Sequence, residues 1–218
     1  MRPLTASDDA TAPGAHILAA GLGRRLGGRP KAALHIGELS LLERLAMALR
    51  DAGAVQPGVV LGPYLDALLP LAQRAGLVPL VHTAAEPSLI DSQRLAVRAH
   101  LAALPSRPLW LLLGDLTALT ADDLHRLRAA WAQRAPGIEA LVPTVAGQRG
   151  HPVVLGAGAL RAIDAQPPSL GVRHWLSAHP AQLAFVELPG PGPVQDLDTA
   201  EALAALREAS RPLDVGWR

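Results

Sequence analysis

Short apolar runs alternate with stretches of helical periodicity along this chain, and that alternation constrains the fold more than any other feature. The runs are Ala15–Ala20, Gly58–Leu61, Leu77–Val81, Leu109–Leu113, Glu139–Val145, Pro152–Leu155 and Leu183–Leu188. Each has the length of a strand and is largely apolar throughout. Strands read this way when crossover helices cover a parallel sheet on both faces. Between them, Leu41, Leu42, Leu45, Leu49 and Ala52 form one helical stripe. It opens at a capping box, Ser40 with Glu43, and stops at Gly53. Leu124, Leu127 and Trp131 form another, capped by Thr120 with Asp123. Ser88 with Asp91 opens a helix from Leu89 to Leu104, and Asp198 with Glu201 opens the last, through Leu203 and Leu206. The pattern predicts a three-layer, Rossmann-like α/β fold. Its central sheet is mostly parallel, with an antiparallel edge among the late, closely linked strands. Ligands of such sheets lie at the carboxyl ends of strands, where the strand order switches.

Composition narrows the function classes. Half of the 218 residues are hydrophobic and 18% are charged, which suits one globular domain over residues 15–218. The polar start, residues 1–14, reads as a flexible tail without the apolar stretch of a signal peptide. No run approaches the ~18 apolar residues of a membrane span, so a cytoplasmic location is expected. The net charge of +1 argues against coating nucleic acid or an anionic membrane. Aromatic residues are too few for base-stacking platforms. Cysteine is absent, which removes disulfides, thiol catalysis and the common structural zinc sites. The histidines lack the spacing of a zinc helix.

Chemistry concentrates where the first strand ends, in Leu18-Ala19-Ala20-Gly21-Leu22-Gly23-Arg24-Arg25-Leu26-Gly27-Gly28-Arg29-Pro30-Lys31. The glycines let backbone N–H groups crowd around an anion. Arg24, Arg25, Arg29 and Lys31 add positive charge with no acid among them, as a triphosphate site would. The Walker pattern fails because Arg29, not Lys, follows Gly28. The dinucleotide fingerprint fails at Leu26, where a third small residue belongs. Asp115 follows the run Leu109–Leu113; a carboxylate there either closes a turn or holds a hard cation such as Mg²⁺. Asp196 and Asp198 flank Leu197, and only one of the two is expected to face a shared metal. Asp198 ranks first, although it also suits an N-cap.

These segments, in this order, resemble the MobA-like NTP transferase family, the molybdenum cofactor guanylyl- and cytidylyltransferases and their relatives. The resemblance runs through the glycine loop, Leu39–Glu43, Val59-Val60-Leu61-Gly62, Leu112-Leu113-Gly114-Asp115, Gly150-His151-Pro152-Val153-Val154-Leu155 and Asp196-Leu197-Asp198-Thr199. It implies the nucleotidyltransferase version of the fold and Mg²⁺-dependent transfer of an NMP from CTP or GTP to a small phosphorylated acceptor, molybdopterin among the candidates. Leu18, Ala19, Ala20, Gly21, Gly23, Arg24, Arg25, Lys31 and Gly62 would bind the nucleotide. Arg25, Lys31 and Asp115 would be catalytic; Asp115, Asp198 and Asp196 would hold the metal; His151 and Arg173 would meet the acceptor. A molybdoenzyme-maturation partner follows from the same resemblance. The acceptor half departs from the family: Leu116-Thr117 replaces the proline-bearing step after Gly-Asp, and Pro168-Ser169-Leu170-Gly171-Val172-Arg173 lacks the family's acid. The alternative is a nucleotide-binding or interaction protein that keeps the fold without transferase activity.

Overall fold

The computed structural model describes residues 12–218. In chain order it contains β1 (Gly14–Leu18), β2 (His35–Ile36), β3 (Leu39–Ser40), α1 (Leu41–Asp51), β4 (Val55–Leu61), α2 (Leu65–Arg74), β5 (Val78–Val81), α3 (Leu89–Ala103) and β6 (Leu109–Leu113). There follow α4 (Ala121–Ala132), β7 (Ala140–Val145), β8 (Gln148–Arg149), β9 (Val153–Leu155), α5 (Ala157–Ala165), α6 (Val172–Ala178), β10 (Leu183–Glu187), α7 (Ala200–Ala209) and β11 (Val215–Gly216). Of the tail expected over residues 1–14, residues 1–11 lie outside the described residues. Ala12 is buried and Gly14 already begins β1.

The central sheet runs β10-β7-β9-β6-β1-β4-β5, with β8 beside β7. β1 lies parallel to both β4 and β6, and the outer pairs β4–β5 and β10–β7 are parallel too. The antiparallel pairing expected on the outer edge falls elsewhere. β9 runs antiparallel between β6 and β7, inside the sheet, and the two-residue β8 pairs antiparallel with β7. A second, small antiparallel sheet, β11-β2-β3, stands apart from the first.

Alternation along β1 shows why there are three layers. Successive strand side chains point to opposite faces. Ala15, Ile17 and Ala19 join the core beneath α1, α2 and α4, with Val59, Trp110 and Leu112. Leu18 and Ala20 join the opposite core beneath α3, α5 and α6, with Val60, Leu109 and Leu111. The capping boxes read from sequence form at the starts of α1, α3 and α4, where Ser40, Ser88 and Thr120 each accept the backbone N–H three residues on. α7 differs. Its N-cap is Thr199, which accepts from the Ala202 N–H, and not Asp198. Thr199 satisfies the helix end and leaves the Asp198 carboxylate free for other partners.

A third apolar cluster joins Leu26, Leu34, Ile36, Leu41, Leu197, Leu203 and Leu206. It ties the basic loop, the small sheet and α7 into one unit at the carboxyl end of β1.

Candidate active site

The basic loop leaves β1 and folds into two short 3₁₀ turns, Arg24–Leu26 and Lys31–Ala33. Gly23, Gly27 and Gly28 all adopt positive φ, at 55°, 72° and 69°. At Gly23 a Cβ would also overlap the Arg29 carbonyl, so only glycine closes the loop neck. Leu26 is buried and anchors the turn in the third cluster. The Tyr64 hydroxyl, at the N-cap of α2, lies 2.9 Å from the Leu22 carbonyl and also reaches the Gly28 carbonyl, so it braces both arms of the loop.

The acids come to the loop along an antiparallel clasp. The Leu197 N–H donates to the Asp115 carbonyl at 3.0 Å, and the Thr117 N–H donates to the Gln195 carbonyl at 3.0 Å. Leu116 and Asp196 form a bridge between these bonds. Leu116 and Leu197 are both buried. In an extended segment, residues two apart share a face. With Leu197 turned inward, Asp196 and Asp198 both lie outside it. Of the two, Asp198 lines the cavity and Asp196 does not, although Asp196 lies near enough to feel the charges of Asp115, Asp198 and Lys31 together.

Lys31 is the centre of the arrangement. Its ammonium donates to Asp115 Oδ2 at 2.8 Å and to Asp198 Oδ1. Its side chain is only 19% exposed and that of Asp115 15%. Burial alone would lower the Lys31 pKa, but the hydrogen bonds and charges of the two carboxylates outweigh it and hold the pKa above the ordinary lysine value. The Lys31 bond holds the Asp198 carboxyl below its usual range against partial burial, with Arg25 adding to the effect from 3.4 Å. Asp196 is pushed the other way, first by desolvation and then by the like charges of Asp115 and Asp198. Asp115 Oδ1 is buried and takes no hydrogen bond.

These groups line a cavity of about 540 Å³. Its wall holds Leu18, Ala19, Gly21, Gly23, Arg24, Arg25 and Lys31 from the loop, Gly114 and Asp115 beyond β6, and Asp198 before α7. Ala20 and Gly62 sit behind the wall and pack on each other: a Cβ at Gly62 would lie 2.9 Å from that of Ala20. His151 stands deeper. Its Nδ1 lies 3.3 Å from the Leu111 carbonyl, and burial lowers its pKa against the raising effect of that bond and of Asp115 and Asp196. Arg173 is exposed on α6, away from the cavity wall. Glu86 and Pro87, past the carboxyl end of β5, complete the mouth; Glu86 pairs with Arg24 at 2.8 Å. Sequence reasoning missed Glu86, because it lies in no motif. The rule that ligands meet the carboxyl ends of strands was the signal that could have found it.

Among the described residues, no group of three or more His, Asp or Glu side chains is arranged to enclose a metal by itself. Mg²⁺ needs less, since it keeps waters and takes one or two carboxylates alongside substrate phosphates. The buried, unpartnered Asp115 Oδ1 and the acids crowded around one ammonium fit such an ion.

A family model described as the MobA-like NTP transferase domain matches residues 15–183. No curated protein matches the chain. Among solved structures, Rv0371c from Mycobacterium tuberculosis H37Rv is similar at 25% identity and a TM-score of 0.74, over 91% of this chain and 98% of that one. A nucleotidyl transferase from Methanothermobacter thermautotroptrophicus shares the fold at 20% identity and a TM-score of 0.73, over 91% of this chain and 97% of that one. The Rv0371c protein also has a structure in complex with manganese, with 23% identity, a TM-score of 0.66 and coverage of 91% and 98%.

Proposed function

The chain belongs to the MobA-like NTP transferase domain family, and from that premise we propose that it moves an NMP from CTP or GTP to a small phosphorylated acceptor and releases pyrophosphate. The observation that carries the reading is the Lys31 ammonium set between Asp115 and Asp198 inside a cavity walled by the basic glycine loop. A site with a half-buried cation, exposed arginines and several acids suits a polyphosphate that arrives with a divalent ion.

An acceptor phosphate oxygen attacks the α-phosphorus, the bond from that phosphorus to the bridging oxygen breaks, and pyrophosphate leaves with the electron pair. The attacking phosphate is already ionised near neutral pH, so no general base is needed. The protein's work is positioning and charge stabilisation. Arg24 and Arg25, with side chains 73% and 74% exposed, would exchange their solvent-screened pairs with Glu86 and Asp198 for the triphosphate. Lys31, held above its ordinary pKa, stays charged and offsets the negative charge growing around the α-phosphate. Asp115 and Asp198, with Asp196 beside them, would hold Mg²⁺, which would neutralise phosphate charge when bound. The manganese complex of Rv0371c supports a divalent ion here. Residues 15–218 act as one domain in this reading. His151, close to Asp115 and Asp196, would face the acceptor, and Arg173 would reach it only from the surface. This reading takes molybdopterin as the candidate acceptor, a molybdoenzyme-maturation protein as the candidate partner and the cytoplasm as the location, each supported by likeness to the family.

Thermal shift with each of the four NTPs, with and without Mg²⁺, tests the reading, because a ligand of the native state raises stability by mass action. Metal-dependent stabilisation by one NTP, together with pyrophosphate release on adding a phosphorylated acceptor, is expected. Stabilisation without pyrophosphate release from any acceptor would instead favour a binding protein that has lost the chemistry.

A further inference from the structure

Trp217 lies outside the segment matched by the family model and far along the chain from the basic loop, yet it touches that loop at its most consequential point. β11 pairs antiparallel with β2, Val215 opposite Ile36 and Gly216 opposite His35. That pairing delivers the next residue, Trp217, to the turn carrying Lys31. The indole Nε1–H donates to the Pro30 carbonyl at 2.8 Å. The same carbonyl accepts the Ala33 N–H at 3.0 Å, the bond that closes the 3₁₀ turn Lys31–Ala33. The Arg29 guanidinium stacks over the indole, 5.2 Å from its centroid. The strand is fastened on both sides: Asp214 accepts the Gly37 N–H at 2.8 Å, and Arg218 donates to the Gly37 carbonyl at 2.8 Å. From α7, Arg207 donates to the Val215 carbonyl at 3.2 Å.

We propose that Trp217 is a positioning residue for Lys31. Its indole N–H fixes the peptide before Lys31, and so the line along which the side chain reaches between Asp115 and Asp198. Packing alone does not describe this contact, because a phenyl ring could still pack against the third apolar cluster without the directional bond. Holding the Pro30 carbonyl with two donors orients the turn. An error of ~1 Å at a charge-stabilising group can cost ~100-fold in rate. The kinetic part of this inference rests on the nucleotidyl-transfer reading; the structural part does not.

Trp217→Phe separates the bond from the packing. Hydrogen exchange at the Ala33 and Leu34 amides is expected to speed up ~10-fold or more, because their turn loses a constraint. The thermal midpoint should stay close to wild type. In a pyrophosphate-release assay with the preferred NTP, kcat should fall ~10-fold while KM for the NTP stays within ~2-fold, since Lys31 acts on charge that develops in the transition state. Trp217→Ala, which also removes the packing, should exchange faster still. Wild-type exchange at Ala33 and Leu34 in Trp217→Phe overturns the proposal, and so does an unchanged kcat in an active enzyme. If the wild-type chain releases no pyrophosphate with any acceptor, the nucleotidyl-transfer reading fails on its own. Faster exchange in Trp217→Phe then still supports the positioning role, and unchanged exchange still overturns it.

Discussion

The basic-loop side of this molecule and the side covered by α3, α5 and α6 carry similar residues with opposite fates. Around the basic loop, Lys31, Arg24 and Arg25 meet carboxylates across an open cavity. On the other side, Arg94 is buried and donates to the carbonyls of Ile163 and Asp164 at 3.2 and 3.1 Å, where α5 runs out. Arg98 pairs with Asp164 at 2.8 Å, and Arg173 stands exposed on α6. An arginine count would rank the two sides alike. What separates them is whether the hydrogen-bonding capacity is already met inside the fold. Orphan carbonyls at a helix end are a strong internal demand, and Arg94 answers it. Arg24, Arg25 and Lys31 face acids gathered at a cavity, an arrangement a polyphosphate can rearrange.

The largest effect that would break this contrast lies at Lys31. Lys31→Ala is expected to lower kcat for pyrophosphate release by ~1,000-fold, the scale of losing a principal charge-stabilising donor. Circular dichroism should show the fold intact. Activity near wild type would mean that the two sides do not differ in the way described.

His16 sharpens the contrast from inside the sheet. It is buried on β1 against His100, and its Nδ1 has no partner among the described residues. An unmet polar atom in that setting bears on stability and not on function. Desolvation, and then the neighbouring His100, lower its pKa from 6.5 to about 4. Above pH 6.5 the imidazole is neutral in both folded and unfolded chains, and the full stability is present. As the pH falls from 6.5 towards 4, the unfolded chain takes up the proton first, and ~3 kcal/mol of stability is lost before the effect levels off. Desolvation lowers the His100 pKa too, which adds to the loss in the same direction. Chemical denaturation across that range reads the slope, and His16→Leu should flatten most of it. An equal slope in the variant would assign the acid sensitivity elsewhere.

Arg94→Met keeps the aliphatic stem and removes the donors to the α5 carbonyls. It should destabilise the chain by about 2 kcal/mol, the scale of leaving buried carbonyls unmet. NTP-induced thermal shifts should persist unchanged, and a weakened shift would place Arg94 in the binding machinery. Arg173→Ala should be the mildest change, within ~0.5 kcal/mol in stability, as for an exposed side chain with no structural partner among the described residues. A large rise in KM for the acceptor in that variant would show that the exposed guanidinium is recruited by substrate.

Local signals in the sequence were legible where the energetics are local. Ser40, Ser88 and Thr120 cap helices because each answers backbone donors three residues away, and the strand runs match β1, β4, β6, β7 and β9 closely. The start of α7 misled because Asp198 and Thr199 are both good caps, and the choice fell to the residue with no distant partner. α2 was not read: it has Pro70 inside and Tyr64 at its start, with no side-chain cap. The seven-residue α6 and the two-residue strands of the small sheet were beyond a periodicity argument, being too short to show a period. Within the site, the loop and Asp115 were readable as chemistry, whereas Tyr64, Glu86 and Trp217 carry no motif.

From the amino-acid order alone came the layered α/β plan, the helix starts and a glycine-rich turn dense in positive charge. Each depends on residues a few positions apart. Tertiary structure alone decided that Lys31 would meet both Asp115 and Asp198, and that Trp217 would hold the turn between them and the small sheet. Those meetings depend on the antiparallel clasp between residues 115–117 and 195–197 and on buried Leu116 and Leu197. Pairing between distant segments is selected by the apolar surface they bury together, a quantity that exists only once the whole chain has packed.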